Sequence, residues 1–336
     1  MSSILPVIRV SVISGFLGSG KTTLLNRILN GDHGLKIAVM VNDFGEINID
    51  ASLIVSATQN ITSLANGCIC CTVESDLIEQ LEKLCNLREG RPEHILIETS
   101  GVSDPGRVVH TLRYPQFRQR LALDTVVVLL DAERQSELPE EIRPLAQEQL
   151  AAADIVVINK VDLVSSERLQ ALKRQWLFPR AKVHEAVFAN IPLPFIFDTS
   201  PNRVLPFTAA VRQAGFAATG SPRHDQLFSS FSWQSAAPLS LKALRKVLGE
   251  FPEHVYRAKG FLHLKDYPQR RFVLHLVGSR LDIQPAGTWQ GQEVPASHLV
   301  VIGSRQLDAE SLCASLEQTV SRQPASDARL AVGSER

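Results

Sequence analysis

Residues 15–22 read Gly-Phe-Leu-Gly-Ser-Gly-Lys-Thr, which fits G-x-x-x-x-G-K-[ST]. The motif lies between an apolar run, "VIRVSVIS" (7–14), and a helical pattern over 21–30. Few folds place a glycine-rich turn there: the strand must be buried and the helix must open on the anion that the turn wraps. Gly15, Gly18, Ser19, Gly20, Lys21, Thr22 and Thr23 are therefore the phosphate-binding candidates. The glycines let backbone N–H groups curl round a phosphate at a helix N-terminus, Lys21 brings a point charge to the β and γ oxygens, and Thr22 offers a hydroxyl to Mg²⁺. A bound nucleoside triphosphate is the expectation.

The rest of the first half agrees with that start. Apolar runs of strand length recur at "KIAVMV" (36–41), "ITSLA" (61–65), "HILI" (94–97), "TVVVLL" (125–130) and "DIVVI" (154–158), with helical stretches at 21–30, 73–87, 140–152 and 165–175. Strands alternating with helices predict an α/β fold, a P-loop NTPase parallel sheet of six strands covered by helices. Ligands of such sheets bind beyond the carboxyl ends of the strands. After about residue 198 the chain turns rich in Pro, Gly, Ser and Thr. We therefore expect a nucleotide domain over 1–198, a linker over 199–225, a smaller α+β C-terminal domain over 226–321 and a frayed tail over 322–336. In that second domain "LFSSFSW", "YRAKGFLHL", "RFVLHLV" and "HLVVIG" read as strands, and "SLKALRKVLGEF" and 308–320 as helices.

Asn159-Lys160-Val161-Asp162 directly follows the last of the first six strands. The Asn159 amide suits the polar edge of a purine, the Asp162 carboxylate can accept from two N–H donors that guanine presents and adenine does not, and the Lys160 stem can lie along the ring. GTP is favoured over ATP. In "HILIETSGVSDP", Glu98 can hold Mg²⁺ or orient the attacking water, and Gly101 can bring a backbone N–H to the γ-phosphate. The segment "NDFGEINID" (42–50) carries Asp43, Glu46 and Asp50 and reads as a nucleotide-dependent switch. Lys21, Glu98 and Asp43 are the catalytic candidates. No arginine finger or glutamine stands in a diagnostic place, so the expected hydrolysis is slow.

Three of the five cysteines fall within four positions, at Cys68, Cys70 and Cys71 in "NGCICC". A helix expected just after them, capped by Thr72, lowers thiol pKa and favours the thiolate form that binds metal. Soft ligands this close suit Zn²⁺ or another thiophilic ion, with water, Asp43, Glu46 or a partner protein in the fourth position. A vicinal redox switch and simple burial of small side chains are the competing readings.

Composition excludes more than it selects. Lys+Arg and Asp+Glu both number 35, so net charge gives no reason to expect a nucleic-acid or membrane-surface partner. The start lacks a secretory pattern and no apolar stretch approaches a membrane span, which points to a cytoplasmic protein.

In order along the chain, "GFLGSGKTTLLN", "NDFGE", "NGCICC", "ETSGVSDP" and "NKVD" resemble the CobW/YjiA-type P-loop GTPases, and "YRAKGFLHL" and "HLVVIG" resemble their smaller C-terminal domain. The resemblance covers about residues 7–320. It implies a GTPase whose hydrolysis is coupled to binding Zn²⁺ or Co²⁺ at Cys68, Cys70 and Cys71 and to delivering the ion to a client metalloprotein. Two departures stand out: Asp43 replaces a glutamate of many relatives, and the nine histidines are scattered where many relatives have a histidine-rich stretch. An alternative is a metal- or redox-responsive regulatory GTPase that recruits a partner without handing over metal. The oligomeric state, a homodimer included, stays open. His224 and His263 are minor metal-ligand candidates, and Arg257 and Lys259 are either part of a docking surface or solvated.

Overall fold

The computed structural model describes residues 6–31, 33–41, 61–63, 74–197, 228–289 and 293–321. The expected linker and tail, and the expected switch and cysteine segments, lie outside these residues.

Seven parallel strands make the first sheet: β1 (Ile8–Gly15), β2 (Ile37–Val41), β3 (Ile61–Ser63), β4 (His94–Glu98), β5 (Leu121–Asp131), β6 (Ile155–Asn159) and β7 (Val183–Ala186), in the order β3-β2-β4-β1-β5-β6-β7. Around them run α1 (Lys21–Leu29), α2 (Glu74–Asn86), α3 (Pro105–Leu112), α4 (Arg143–Ala151) and α5 (Ser166–Trp176). Successive side chains leave opposite faces of a strand, and here both faces are covered, which is why β4 and β6 are buried throughout. Val10, Ile95, Val128 and Ile158 pack on one face with Leu81, Leu150 and Trp176. Their neighbours Ile13, Leu96, Val127 and Val157 pack on the other with Leu25, Ile28 and Phe195. Each such fully buried aliphatic side chain contributes roughly 1.5–3 kcal/mol.

Two elements of this half were not expected. β7 makes the sheet seven strands wide rather than six, because "VHEA" carries two polar residues and no apolar run. α3 follows the Glu98 loop, with Pro105 at its start and the Asp104 carboxylate accepting from the Gly106 N–H at 2.7 Å.

The second sheet is antiparallel. β8 (Ser229–Ser235), β9 (Val255–His263), β10 (Arg270–Val277), β11 (Arg280–Thr288) and β12 (Ser297–Gly303) take the order β11-β10-β9-β12-β8, and α6 (Leu241–Gly249) and α7 (Ala309–Glu317) share its core through Leu244, Leu262, Leu299 and Leu316. β11 is a further unexpected strand; Pro285 and Gly287 hide it, and it is tolerated because it lies at the sheet edge.

This module docks against the end of the parallel sheet where β5 and β6 begin. The buried Asp124 carboxylate takes Arg257 of β9 at 2.5 Å and Arg9 of β1 at 3.6 Å. Arg280 of β11 donates to Asp154 at 2.8 Å and to the Asp124 carbonyl at 2.6 Å. Arg257 is thus not solvated: it is buried where the second module meets the first, because a carboxylate it meets only in three dimensions balances its charge. Burial by itself would raise the Asp124 carboxyl, but Arg257, His94 and Arg9 outweigh it and hold the group below the usual carboxylate range.

Candidate functional site

β1 delivers the glycine-rich turn to the opposite end of the sheet, where the strands finish. Gly15, Gly18 and Gly20 take φ of 134°, 75° and 103°, and α1 begins at Lys21 with neither a capping side chain nor an acidic residue in its first turn. Four other helix starts are capped, by Asp104, Ser165, Ser240 and Asp308; α4 is uncapped as well, but Pro144 in its first turn has no N–H to offer. The difference is chemical. A capped helix satisfies its own first N–H groups, whereas α1 keeps them, with the positive end of its dipole, for an anion.

Around that turn the side chains converge. Lys21 is largely buried and its Nζ donates to the Phe16 carbonyl at 3.3 Å, across the loop it closes. Thr22 Oγ1 donates to Glu98 Oε1 at 3.0 Å, joining the start of α1 to the end of β4. Glu98 is buried and in register with Ile13 and Val41, so the carboxylate stands beside the motif, with the exit of β2 on its other side. The set is a hydroxyl and a carboxylate, both hard oxygen donors, which fits Mg²⁺. Thr23 is exposed one position further along the helix.

Gly101 is buried, and a Cβ there would come within 2.8 Å of the Leu17 backbone nitrogen. Only glycine permits this approach of the two loops. Gln149 of α4, which the sequence did not single out, clamps the Gly101 loop by donating to the carbonyls of Gly101 at 3.2 Å and Ser103 at 2.9 Å.

Asn159 does more than the sequence reading assigned to it. Its Nδ2 donates to the Ser19 carbonyl at 2.9 Å, and its Oδ1 accepts from the Ala189 N–H at 2.8 Å. One buried amide ties the phosphate loop, the end of β6 and the loop after β7 together. A Cβ on Gly20 would lie 2.4 Å from Nδ2, so the closeness of this contact requires glycine. Lys160 adopts φ 63° and pairs with Asp131 at 2.6 Å, and Asp131 also accepts from the N–H groups of Glu133 and Arg134. Asp162 is exposed in the short turn after it. Neither Asp131 nor the 187–190 loop carries a local sequence signal, since each is identified only by what it touches.

Asp43, Glu46, Cys68, Cys70, Cys71 and His224 lie outside the described residues. β3 ends at Ser63 on the same crest as the phosphate loop, three strand spacings or about 14 Å from β1, and α2 starts at Glu74. Among the described residues no three His, Cys, Asp or Glu side chains gather to hold a metal. Burial pushes the Cys85 and Cys313 thiols up, away from the thiolate form. Nor, among the described residues, is any helix long and apolar enough to cross a membrane.

The family described as CobW/HypB/UreG, nucleotide-binding domain, matches residues 9–184, and the cobalamin synthesis protein cobW C-terminal domain matches 228–320. The chain belongs to the CobW family. Among CobW relatives, the zinc chaperone CobW of Sinorhizobium sp is 30% identical over 93% of this chain and 97% of its own. The zinc chaperone YjiA of Escherichia coli K12 is 32% identical over 88% of this chain and 94% of its own. The zinc-regulated GTPase metalloprotein activator 1 of Dictyostelium discoideum is 31% identical, covering 83% and 68%.

Proposed function

We propose that the protein is a GTP-hydrolysing metal chaperone, which takes up a zinc ion and hands it to a client metalloprotein as GTP is turned over. It is a GTPase by its CobW nucleotide-binding domain and by the crest just described. The observation that carries the reading is the uncapped start of α1 with Lys21, Thr22 and Glu98 gathered round it. Lys21 exchanges its carbonyl partner for phosphate oxygens. Thr22 and Glu98 are the residues to hold Mg²⁺, which when bound offsets charge on the β and γ oxygens. Glu98 and Gly101 face the terminal phosphate, with Asp43 arriving from the segment after β2. Asn159 keeps the phosphate loop and the base-side loop in one geometry, and Asp162 selects guanine.

Zinc, with cobalt as the other candidate, is cargo. Cys68, Cys70 and Cys71 supply three soft donors, and water or Glu46 the fourth, in a reducing cytoplasm that keeps the thiols free. The relatives named as zinc chaperones support zinc over cobalt. Because the switch and cysteine segments leave neighbouring strands, hydrolysis at one can loosen the other, and the coupling is reciprocal.

The test is to load the protein with zinc and follow its release to a chromophoric chelator in the presence of GTP, GDP or a non-hydrolysable GTP analogue. One zinc per chain is expected, with release fastest during turnover. A Cys68→Ser/Cys70→Ser/Cys71→Ser variant should hydrolyse GTP and retain no zinc. Equal release rates with all three nucleotides would remove the coupling.

A further inference from the structure

The loop that follows β7 is held with unusual care. Phe188 and Ala189 are consecutive non-glycine residues at φ 50°, a left-handed conformation that L side chains resist. Four contacts enforce it: the Ala189 N–H to Asn159 Oδ1 at 2.8 Å, the Asn190 N–H to the Val187 carbonyl at 3.1 Å, Arg27 of α1 to Asn190 Oδ1 at 2.8 Å, and His184 Nε2 with the Asn190 carbonyl at 3.4 Å. Ala189 is fully buried by this arrangement while Phe188 is 72% exposed. Core packing accounts for Ala189, which joins the apolar cluster around Phe195, but not for the exposed Phe188, and backbone strain at such a residue persists where function needs it.

Position says what the ring is for. Ala186, the last residue of β7, is directly opposite Asn159, and Phe188 stands two residues beyond it on the crest where the strands end. Lys160 reaches back from Asn159 to Asp131 on β5, so Lys160 and Phe188 lie on opposite flanks of the base-side asparagine. We propose that Phe188 is a nucleotide-binding residue whose ring stacks on a face of the purine. The inference rests on the guanine reading given above. Aromatic stacking accepts any base, because every base presents a π face. Phe188 therefore supplies affinity, and Asp162 supplies the choice of guanine.

Titration calorimetry of the Phe188→Ala variant against GTP, GDP, ATP and inorganic tripolyphosphate tests it. GTP and GDP should bind about tenfold more weakly, which is about 1.4 kcal/mol. ATP should weaken by the same factor, leaving the GTP to ATP preference untouched, and tripolyphosphate should bind as before. Phe188→Trp should keep GTP affinity, and its added fluorescence should be quenched by GDP. Equal GTP affinity in parent and Phe188→Ala overturns the stacking while leaving the guanine reading intact. A parent that binds GTP no better than tripolyphosphate overturns both. An equal loss for tripolyphosphate makes the loop a purely structural brace and overturns the proposal, as does unchanged nucleotide affinity with loss of a co-purifying protein, which assigns the ring to a protein contact.

Discussion

The two ends of the parallel sheet solve opposite problems. Where the strands begin, Asp124 and Asp154 are buried beneath the second module, and arginines from β1, β9 and β11 meet them. Where the strands finish, α1 has no cap, Leu17 is 59% exposed, Phe188 is 72% exposed, and backbone strain is retained around Asn159. One end satisfies its charges internally and is sealed. The other withholds that satisfaction from itself and leaves backbone donors and apolar surface exposed.

The largest effect should come from the sealed end. Asp124→Ala leaves Arg257 buried beside Arg9 without their shared carboxylate, and breaking such a pair from one side costs about 3–5 kcal/mol. Denaturant unfolding should register that loss, while the fraction still folded binds GTP as the parent does. A weakened nucleotide affinity at full stability would mean the two ends are not separable. Acid should mimic the substitution: because the folded-state pKa of Asp124 lies below its unfolded value, its stabilisation is complete above the unfolded value of about 3.9 and is lost as pH falls through the folded one.

At the open end the order of effects reverses. Lys21→Ala should lower kcat/KM for GTP by about 100-fold or more, since a preorganised donor to developing charge is removed. Its unfolding free energy should shift by no more than about 1 kcal/mol, the net worth of a single hydrogen bond. Steady-state phosphate release and a melting curve measure the two quantities side by side. Retained turnover, or collapse of the fold, would contradict the division between the ends.

This division also explains what the sequence revealed. The part of the open end within the described residues was legible as a gathering of groups because its motifs are local: the phosphate loop, Glu98 with Gly101, and N-K-x-D each place their groups within a few consecutive residues, whereas Asp43, Glu46 and the cysteines lie outside the described residues. The sealed end was not, because its partners are far apart; Asp124 and Arg257 are separated by 133 positions, and a basic residue such as Arg257 reads by default as solvated. Asp131 behind Lys160 and Gln149 behind Gly101 were missed for the same reason, although they position residues that were found. β7 and β11 escaped because strands at sheet edges need no unbroken apolar run. β1, β4 and β6, by contrast, were legible as strands because both of their faces are buried and their sequences are rich in apolar residues.

Lys182 gives the smallest and most specific probe of the sealed end. It precedes β7, is buried, and donates through Nζ to the Pro252 carbonyl of the second module at 2.7 Å. Burial lowers its pKa to about 8, only partly opposed by Glu253. The unfolded chain holds the proton up to about pH 10.4, so above pH 8 the unfolded state binds more protons than the folded one, and stability rises with pH across that window. Between pH 8 and 9 the gain is on the order of 1 kcal/mol. Lys182→Met lacks the titrating group, so the parent's unfolding free energy should climb relative to the variant's between those two values. Parallel curves would show that the ammonium at this seam is solvated in the folded protein, and that the sealing of this end stops short of β7.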